Sequence, residues 1–316
     1  MVDLVTDAAR RAARPGAGAL VLGMSSDPTR HSEAFLNDLR DGWWNADFLQ
    51  LVARRLALDT VRDALDVGAG QGHWTRVVAG MLSPDARVVG VEREPDWVAE
   101  ANRRARPNQT FVQGSAEALP FPDASFDLVT CQTLLIHVAD PAVVLAEMWR
   151  VLRPGGRLMV AEPNNLANMG SWAVQLPGCD VEDALEAMRL EIMVERGKAA
   201  LGEGHNSTGE VLVGLLRDGW DDIRSWVDDR TRQMSPPYDP AIVAQERAFH
   251  DKGQTGWTRA EAARWFAAAG GTDAAFERAW GATLKLNGLR LAAIDAGTYS
   301  ALEGGLHYVI AARKVG

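Results

Sequence analysis

A glycine-rich loop is the part of the sequence whose residue types and spacing are most clearly suited to chemistry. Residues 68–72 read GAGQG, follow the apolar segment 64–67 and precede a helical pattern. Glycines let the backbone turn tightly and approach a ligand closely, and the N-terminus of the following helix offers free N–H donors. The spacing G-x-G-x-G, with Asp66 two positions before the first glycine, differs from the G-x-G-x-x-G fingerprint of dinucleotide-binding loops. The loop predicts a ligand site, although alone it also fits a plain strand-to-helix turn.

Titratable side chains near this loop are the next candidates for chemistry. Glu92 ends the second predicted strand, where it could bind a ligand or simply be a solvated acid. His137 lies in the segment LLIHV and is a candidate general base, because imidazole exchanges protons near neutral pH. The same position could equally serve only packing between a strand and the next helix. Three other histidines are weaker candidates: His73, His205 and His250.

Composition excludes several classes of protein. The chain has 316 residues, with 33 Lys and Arg against 42 Asp and Glu, so its net charge of -9 speaks against a nucleic-acid binder. It contains no apolar run near the roughly 18 residues of a membrane span. Its two cysteines, Cys131 and Cys179, are too few for a disulfide framework or a four-ligand zinc site. We therefore expect no metal, no membrane span and a reducing, cytoplasmic setting.

The elements that must position these residues form an α/β pattern. Short apolar strands are predicted at 64–67, 87–91, 110–113, 126–131 and 157–162, with helical patterns between them. Such alternation is typical of βαβ units wound into a parallel sheet. Asp140-Pro141 predicts a helix start, and the run 153–156, RPGG, predicts the turn into the fifth strand.

Beyond residue 163 the alternation breaks, and most of the chain has helical patterns. Two further strands are predicted, at 223–227 and 307–312. Ser207 with Glu210, and Thr258 with Glu261, match the capping box that opens a helix. No internal repeat or low-complexity segment is present.

Five motifs in order give the sequence a family resemblance. The glycine loop is followed by Glu92, by GSAE at 114–117, by FDLV at 126–129 and by LRPGGR at 152–157. Together they resemble the class I S-adenosylmethionine-dependent methyltransferases, in the subgroup that methylates small molecules. The resemblance spans about residues 63–164. It implies a Rossmann-like, doubly wound seven-stranded sheet in which 307–312 is the antiparallel strand beside 223–227.

The resemblance also implies roles for individual residues. The methionine end of S-adenosylmethionine would lie against the glycine loop and Asp66, and Glu92 would accept hydrogen bonds from both ribose hydroxyls. Arg93 would lie along the adenine face; many relatives have Asp where Ser115 stands, which leaves its adenine contact open. The implied cofactor-binding set is Asp66, Gly68, Ala69, Gly70, Gly72, Glu92, Arg93, Ser115, Ala116 and Gln132.

We predict three regions: an N-terminal helical cap at 1–50, a cofactor-binding core at 51–163, and the remainder of the sheet at 164–316. The last region carries helical, acceptor-binding insertions at 164–205 and 235–305. Tryptophans fit either an aromatic acceptor pocket or plain core packing in this region. They lie at Trp172, Trp220, Trp226, Trp257, Trp265 and Trp280. Trp43 and Trp44 fit the predicted cap.

The predicted activity is methyl transfer from S-adenosylmethionine to an O, N or C atom of a small, apolar or aromatic metabolite or natural product. A methyltransferase of protein or RNA is disfavoured because the sequence has no Lys/Arg cluster. A nicotinamide-dependent oxidoreductase is disfavoured by the loop spacing, and a catalytically silent cofactor-binding module stays open. The sequence does not indicate the oligomeric state.

Overall fold

A seven-stranded sheet organises the chain in a computed structural model that describes residues 43–167, 176–250 and 257–316. The strand order is β3-β2-β1-β4-β5-β9-β6, and β7 and β8 form a separate two-stranded ladder. The strands are β1 Asp63–Val67, β2 Arg87–Glu92, β3 Gln109–Gln113, β4 Phe126–Gln132, β5 Leu152–Pro163, β6 Trp220–Val227, β7 Arg232–Met234, β8 Ala301–Glu303 and β9 His307–Lys314.

The pairing of this sheet confirms the predicted fold class. Strands β1 to β5 are parallel to one another, whereas β9 runs antiparallel to both β5 and β6. The order reverses between β1 and β4, because β2 and β3 extend to one side and β5 to the other. In open α/β sheets ligands bind outside the carboxyl ends of the strands at such a switch point. The fold therefore places the glycine loop, which follows β1, at that crevice.

Helices cover both faces of the sheet and are the longest elements described after β5. They are α1 Ala46–Arg55, α2 His73–Met81, α3 Pro95–Arg104, α4 Pro141–Val151, α5 Val181–Ala200, α6 Leu212–Leu215, α7 Pro240–His250, α8 Arg259–Ala268 and α9 Asp273–Asp295. Short 3₁₀ turns occupy Leu58–Thr60, Leu135–His137 and Thr208–Glu210. None of the helices described is long and apolar enough to cross a membrane.

Capping side chains fix several helix starts where the sequence predicts them. The Asp140 carboxylate accepts the Ala142 N–H at 2.9 Å. Thr258 and Glu261 form the complete capping box at the start of α8. The capping box predicted at Ser207 is wrong: its hydroxyl instead accepts the N–H of Leu166 at 2.9 Å, tying two distant loops together.

Alternating side chains of the parallel strands form two cores, one on each face of the sheet. Leu65 and Val129 point into one core and Ala64 and Leu128 into the other, and all four are fully buried. This is the expected pattern for strands covered by helices on both faces, where each buried leucine contributes about 1.5–3 kcal/mol. The two cores hold the strand ends, and hence the crevice, in fixed positions.

The fifth strand begins earlier than the sequence predicts. Residues 153–156, predicted as a turn between helix and strand, lie inside β5, because α4 ends at Val151 and Leu152 already pairs with Phe126. A register shift between Phe126 and Leu128 accommodates the run, and Gly155 has a φ of +74°. The turn is thus built into the sheet as an irregularity.

The helices that follow β5 form cores of their own. Helices α5, α8 and α9 pack through Leu190 and Val194, Trp265 and Phe266, and Phe276, respectively. The β7–β8 ladder pairs Arg232–Met234 with Ala301–Glu303 at the two ends of the segment carrying α7, α8 and α9. This ladder is absent from the sequence prediction, because three-residue strands leave no readable alternation.

Candidate functional site

The glycine loop folds back over the end of β2. The N–H groups of Gly68 and Ala69 both donate to the Val91 carbonyl, at 2.8 and 3.0 Å, and Gly72 N–H donates to the Ala69 carbonyl at 2.8 Å. Gly68, Gly70 and Gly72 have φ values of +72°, +53° and +83°. Residues with a Cβ rarely adopt this region, so the loop requires glycine at these positions.

Two of these glycines also leave no room for a side chain. A Cβ at Gly68 would lie 2.6 Å from Cδ1 of Leu134, and one at Gly72 would lie 2.7 Å from Cζ of Phe111. Leu134 follows β4, so the glycine loop and the segment after β4 meet directly. The loop is a close-approach cradle bounded by two strand ends.

Glu92 ends β2 and holds the loop through its carboxylate. Its Oε2 accepts the Gly70 N–H at 2.9 Å, while Oε1 accepts the N–H groups of Arg93 and Glu94 at 2.7 and 3.0 Å. The side chain is buried, with 7% of its surface exposed. A carboxylate offers about four lone-pair positions, so three are occupied and one on Oε2 is left. Accepting two ribose hydroxyls would therefore require exchange of the Gly70 bond.

Asp66 is buried beneath the loop, with an unmet hydrogen-bonding position. Its Oδ2 accepts the Thr75 hydroxyl at 2.6 Å, whereas Oδ1 has no hydrogen-bond partner among the described residues. Burial raises the pKa of this carboxyl to about 7, opposed by the Thr75 hydrogen bond and reinforced by the negative charge of Glu92. An unpaired buried carboxylate is costly, and a positively charged ligand group would offset that cost.

Gln132 provides a second unmet group on the other side of the crevice. It ends β4, is 7% exposed, and its Nε2 has no hydrogen-bond partner among the described residues. The orphaned Asp66 oxygen suits a cationic donor, and the orphaned Gln132 Nε2, itself a donor, suits an acceptor. Together with the glycine cradle they fit a zwitterionic group such as the methionine end of S-adenosylmethionine.

Glu162 holds the segment that follows β4 and was not singled out from the sequence. Its Oε1 accepts the N–H groups of Leu134 and Leu135 at 2.8 and 2.9 Å. The carboxyl is fully buried, and desolvation raises its pKa to about 7. It thereby fixes Leu134 over Gly68. The sequence signal that could have identified Glu162 is an acidic residue at the carboxyl end of an apolar strand.

His137 ends the 3₁₀ turn that Glu162 anchors, and its side chain is exposed on the carboxyl side of the sheet. His73, by contrast, is buried at the start of α2, where its Nδ1 contacts the Arg76 guanidinium at 2.8 Å. His250 lies on α7 within 3.4 Å of Glu246, in the helical segment after β6. Of these three histidines, His137 lies on the turn that directly follows β4.

The residues predicted to meet the adenine lie at the outer edge of the crevice. The Arg93 side chain is 60% exposed and its Nε lies 3.3 Å from the Glu94 carboxylate. The Ser115 hydroxyl donates to Glu117, and Ser115 and Ala116 are both partly exposed after β3. The structure brings these residues to the same crevice as Glu92, because the Gly114 N–H donates to the Glu92 carbonyl at 2.9 Å.

Aromatic rings line the far end of the carboxyl edge, beside β9. The ring of His307 lies 5.7 Å from that of Trp43 and 6.4 Å from that of Trp44, and Trp44 lies 5.0 Å from Trp74. The Arg230 guanidinium lies over the Trp43 ring at 5.8 Å. Most of the predicted N-terminal cap, at residues 1–42, and Trp172 lie outside the described residues.

No group of three His, Cys, Asp or Glu side chains suited to a metal ion occurs within the residues that the structure describes.

Residues 65–160 match the family model described as a methyltransferase domain. An uncharacterized 37.1 kDa protein in a transposon of Streptomyces fradiae is 32% identical over 199 residues, covering 59% of this chain and 56% of that protein. A demethylmenaquinone methyltransferase of Deinococcus radiodurans is 38% identical over 124 residues, covering 38% of this chain and 49% of that protein.

The chain thus spans about half the length of these curated relatives. Among solved structures, the YcgJ protein of Bacillus subtilis aligns over 86% of this chain and 100% of its own, with a TM-score of 0.48 and 17% identity.

Proposed function

We propose the activity of this chain from one premise: it contains a methyltransferase domain of the class I S-adenosylmethionine-dependent family, whose cofactor is S-adenosylmethionine. The proposed activity is transfer of a methyl group to a small-molecule acceptor. One observation carries this proposal: a glycine cradle beside Leu134 follows the strand that bears one buried, unmet polar atom, Asp66 Oδ1, and the neighbouring strand ends at another, Gln132 Nε2. One acceptor and one donor suit a compact ligand that carries both a positive and a negative group.

The proposed cofactor contacts follow the positions of the side chains in the crevice. Asp66 and the glycine loop would hold the methionine end, and Gln132 would face it through its backbone. Glu92 would bind the ribose after exchanging its Gly70 hydrogen bond. Arg93 would cover the adenine face. Ser115 and Ala116 would contact the edge of the adenine.

When bound, the cofactor supplies a methyl group on a sulfonium, which is already activated toward a nucleophile. The chain's own residues then have to align the acceptor and exclude water. Positioning of this kind can contribute on the order of 7–11 kcal/mol to lowering a barrier. His137 stays a candidate general base, because it is exposed on the turn after β4.

We propose that the acceptor is apolar or aromatic. The Trp43, Trp44 and His307 rings at the carboxyl edge support this, whereas Trp265 and Trp280 are buried in the core of the helical segments. The relative from Deinococcus radiodurans, named a demethylmenaquinone methyltransferase, makes a quinone-type acceptor the first to test. The helical insertions at 164–205 and 235–305 would enclose it, and the net charge of -9 disfavours nucleic acid.

The experiment that tests this proposal uses methyl-labelled S-adenosylmethionine with a panel of acceptors, followed by mass spectrometry. The panel contains reduced naphthoquinones, phenols, amines, a basic peptide and an RNA. We expect label in a small aromatic acceptor. Label only in the peptide or RNA would contradict the small-molecule assignment, and binding of NADH without binding of S-adenosylmethionine would contradict the class of enzyme.

A further inference from the structure

The register of the sheet brings side chains of several strands to one face at the carboxyl edge. Gln132, the last residue of β4, pairs with Ala161 of β5, and Ala161 pairs with Val309 of β9. Ala161 and Val309 are buried in the core beneath α1 and α2. Because residues two apart on a strand share a face, His307 lies on the same side as Val309. Gln132 and His307 therefore lie on one face of the sheet, on either side of β5.

Tryptophans of two segments cover this face. Trp74, in the first turn of α2, donates its indole N–H to the Thr130 hydroxyl at 2.9 Å. Thr130 lies two residues before Gln132 on β4, and so on the same face. The ring of Trp44, just before α1, lies 5.0 Å from the Trp74 ring and 6.4 Å from the His307 ring. Trp44 is thus located between the start of α2 and the start of β9, on the face that carries Gln132.

The indole N–H of Trp44 is an unmet donor. Its Nε1 atom is buried and has no hydrogen-bond partner among the described residues, although the ring stacks on Phe48 at 6.2 Å. The indole N–H groups of Trp74, Trp149 and Trp265 instead have oxygen partners, at 2.9, 3.1 and 2.8 Å. A buried donor without an acceptor destabilises a fold, and a ligand that supplies the acceptor removes that cost. The Trp44 N–H therefore suits an oxygen atom of a bound ligand.

Two unmet donors share this face, at different places along it. Gln132 Nε2 is at the end of β4, next to β1 and its glycine loop, and suits the carboxylate of the cofactor's methionine end. Trp44 lies toward β9, which is separated from β1 by β4 and β5. The proposed cofactor contacts do not involve Trp44, so its N–H is left for the acceptor.

We propose that Trp44 determines acceptor specificity: its indole N–H binds a carbonyl or phenolate oxygen of a planar aromatic acceptor. This inference rests on the proposed function and names the group that the acceptor site recognises. An indole N–H donates and cannot accept, so it selects an oxygen lone pair and offers nothing to a protonated amine. The rings of Trp74 and His307 beside it provide flat aromatic surface for the acceptor ring.

The first test measures binding to the full chain loaded with S-adenosylhomocysteine and needs no methyl transfer. The probes are chromone and naphthalene, two planar bicyclic compounds of similar size, of which chromone alone carries a carbonyl oxygen. Trp44→Phe keeps a ring and removes the N–H. We expect it to lower the affinity for chromone, relative to that for naphthalene, about three- to tenfold, the usual effect of one hydrogen bond.

The matched control is Trp149→Phe, which removes an indole N–H bonded to the Gly219 carbonyl before β6, at the opposite edge of the sheet. It should leave the ratio of the two affinities unchanged. An unchanged ratio in Trp44→Phe, or an equal change in Trp149→Phe, would overturn the proposal. Failure of the wild type to bind chromone while it binds S-adenosylhomocysteine would also overturn it.

A second measurement uses wild-type protein alone. In ¹H–¹⁵N spectra the Trp44 indole signal can be assigned through its contacts with Phe48 and Trp74. We expect this signal to move downfield when chromone binds, because the N–H acquires an oxygen partner, and not to do so with naphthalene. A signal that saturating chromone leaves in place would overturn the proposal, whatever the stability of the variants.

Methyl transfer separates this inference from the proposed function. With a reduced naphthoquinone as acceptor, Trp44→Phe should raise KM about three- to tenfold, while the Kd of S-adenosylmethionine stays within about twofold of the wild-type value. Failure of the wild type to bind S-adenosylmethionine would overturn both. Labelling of amines but of no oxygen-bearing aromatic compound would overturn this inference and leave small-molecule methyl transfer standing. A wild-type KM in a folded Trp44→Phe would do the same.

Discussion

Replacing Asp66 with asparagine should make the protein more stable at neutral and alkaline pH while weakening its ligand site. Burial raises the folded-state pKa of Asp66 from 3.8 to about 7. The folded state therefore holds this proton more tightly than the unfolded state. Stability from this group is fully present below about pH 4 and is lost as the pH rises toward 7. Asparagine has no proton to lose and so escapes this penalty.

The size of the effect follows from the two pKa values. The difference between 3.8 and about 7, at about 1.4 kcal/mol per pKa unit, corresponds to about 4 kcal/mol above pH 7. The hydrogen bond from Thr75 is weaker to asparagine than to the carboxylate, and this difference offsets about 1 kcal/mol of the stabilisation. We expect Asp66→Asn to exceed the wild type by about 3 kcal/mol at pH 8, and to match it or fall slightly below it at pH 4.5.

Urea unfolding of both proteins between pH 4.5 and 8.5 measures this difference. Other titrating groups, including Glu162 and Glu191, are shared and cancel when the two free energies of unfolding are subtracted. A difference that does not change with pH would refute the reasoning. In the same proteins, calorimetry in buffers of different ionisation enthalpy should show wild-type proton release at pH 7 on binding S-adenosylmethionine, and none in Asp66→Asn.

Three further predictions concern the glycine loop, the turn after β4 and the helical segment after β6. Gly68→Ala should lower the free energy of unfolding by about 1–3 kcal/mol and weaken cofactor binding, because its Cβ meets Leu134 at a positive φ. Gly80→Ala is the control, because a Cβ there meets open space on α2, and it should stabilise the protein by up to about 1 kcal/mol. Equal changes in the free energy of unfolding of the two variants, measured with denaturant, would contradict this prediction. Glu162→Ala should lower the free energy of unfolding by at least about 2 kcal/mol, because the N–H groups of Leu134 and Leu135 lose their acceptor. Glu162→Gln keeps an acceptor oxygen and should leave the melting temperature nearly unchanged. Glu246→Gln should lower the free energy of unfolding by about 3–5 kcal/mol, because Arg232 and Arg290 both pair with that carboxylate. A smaller loss would contradict a stabilising role for these two ion pairs.

The strand pattern of the core could be predicted because each strand is apolar and its carboxyl end carries a motif. The glycine loop, Glu92 and Gln132 all lie where the sequence places them, and the strand at His307–Lys314 is antiparallel as expected. These positions depend on local residue types: glycines at positive φ, and polar residues that directly follow buried strands. Local sequence is sufficient for features of this kind.

Features that depend on tertiary contact could not be predicted. Nothing in the sequence shows that Glu162 accepts the Leu134 and Leu135 N–H groups, because this pairing joins two strand ends about thirty residues apart. The approach of Glu195 to His205 depends on how α5 ends and how Gly204 turns back onto Ile136. Ser207 matched a capping box but serves a loop contact instead, since a hydroxyl binds whichever N–H the fold presents.

Calorimetric titration of the full chain with S-adenosylmethionine tests the central claim most directly. We expect the wild type and Glu94→Gln, which alters the exposed neighbour paired with Arg93, to bind with similar affinity. Glu92→Ala should bind at least tenfold more weakly, because that carboxylate holds Gly70 and is the proposed ribose-binding group. Binding of NADH with no response to S-adenosylmethionine, or unchanged affinity in a folded Glu92→Ala, would contradict the account.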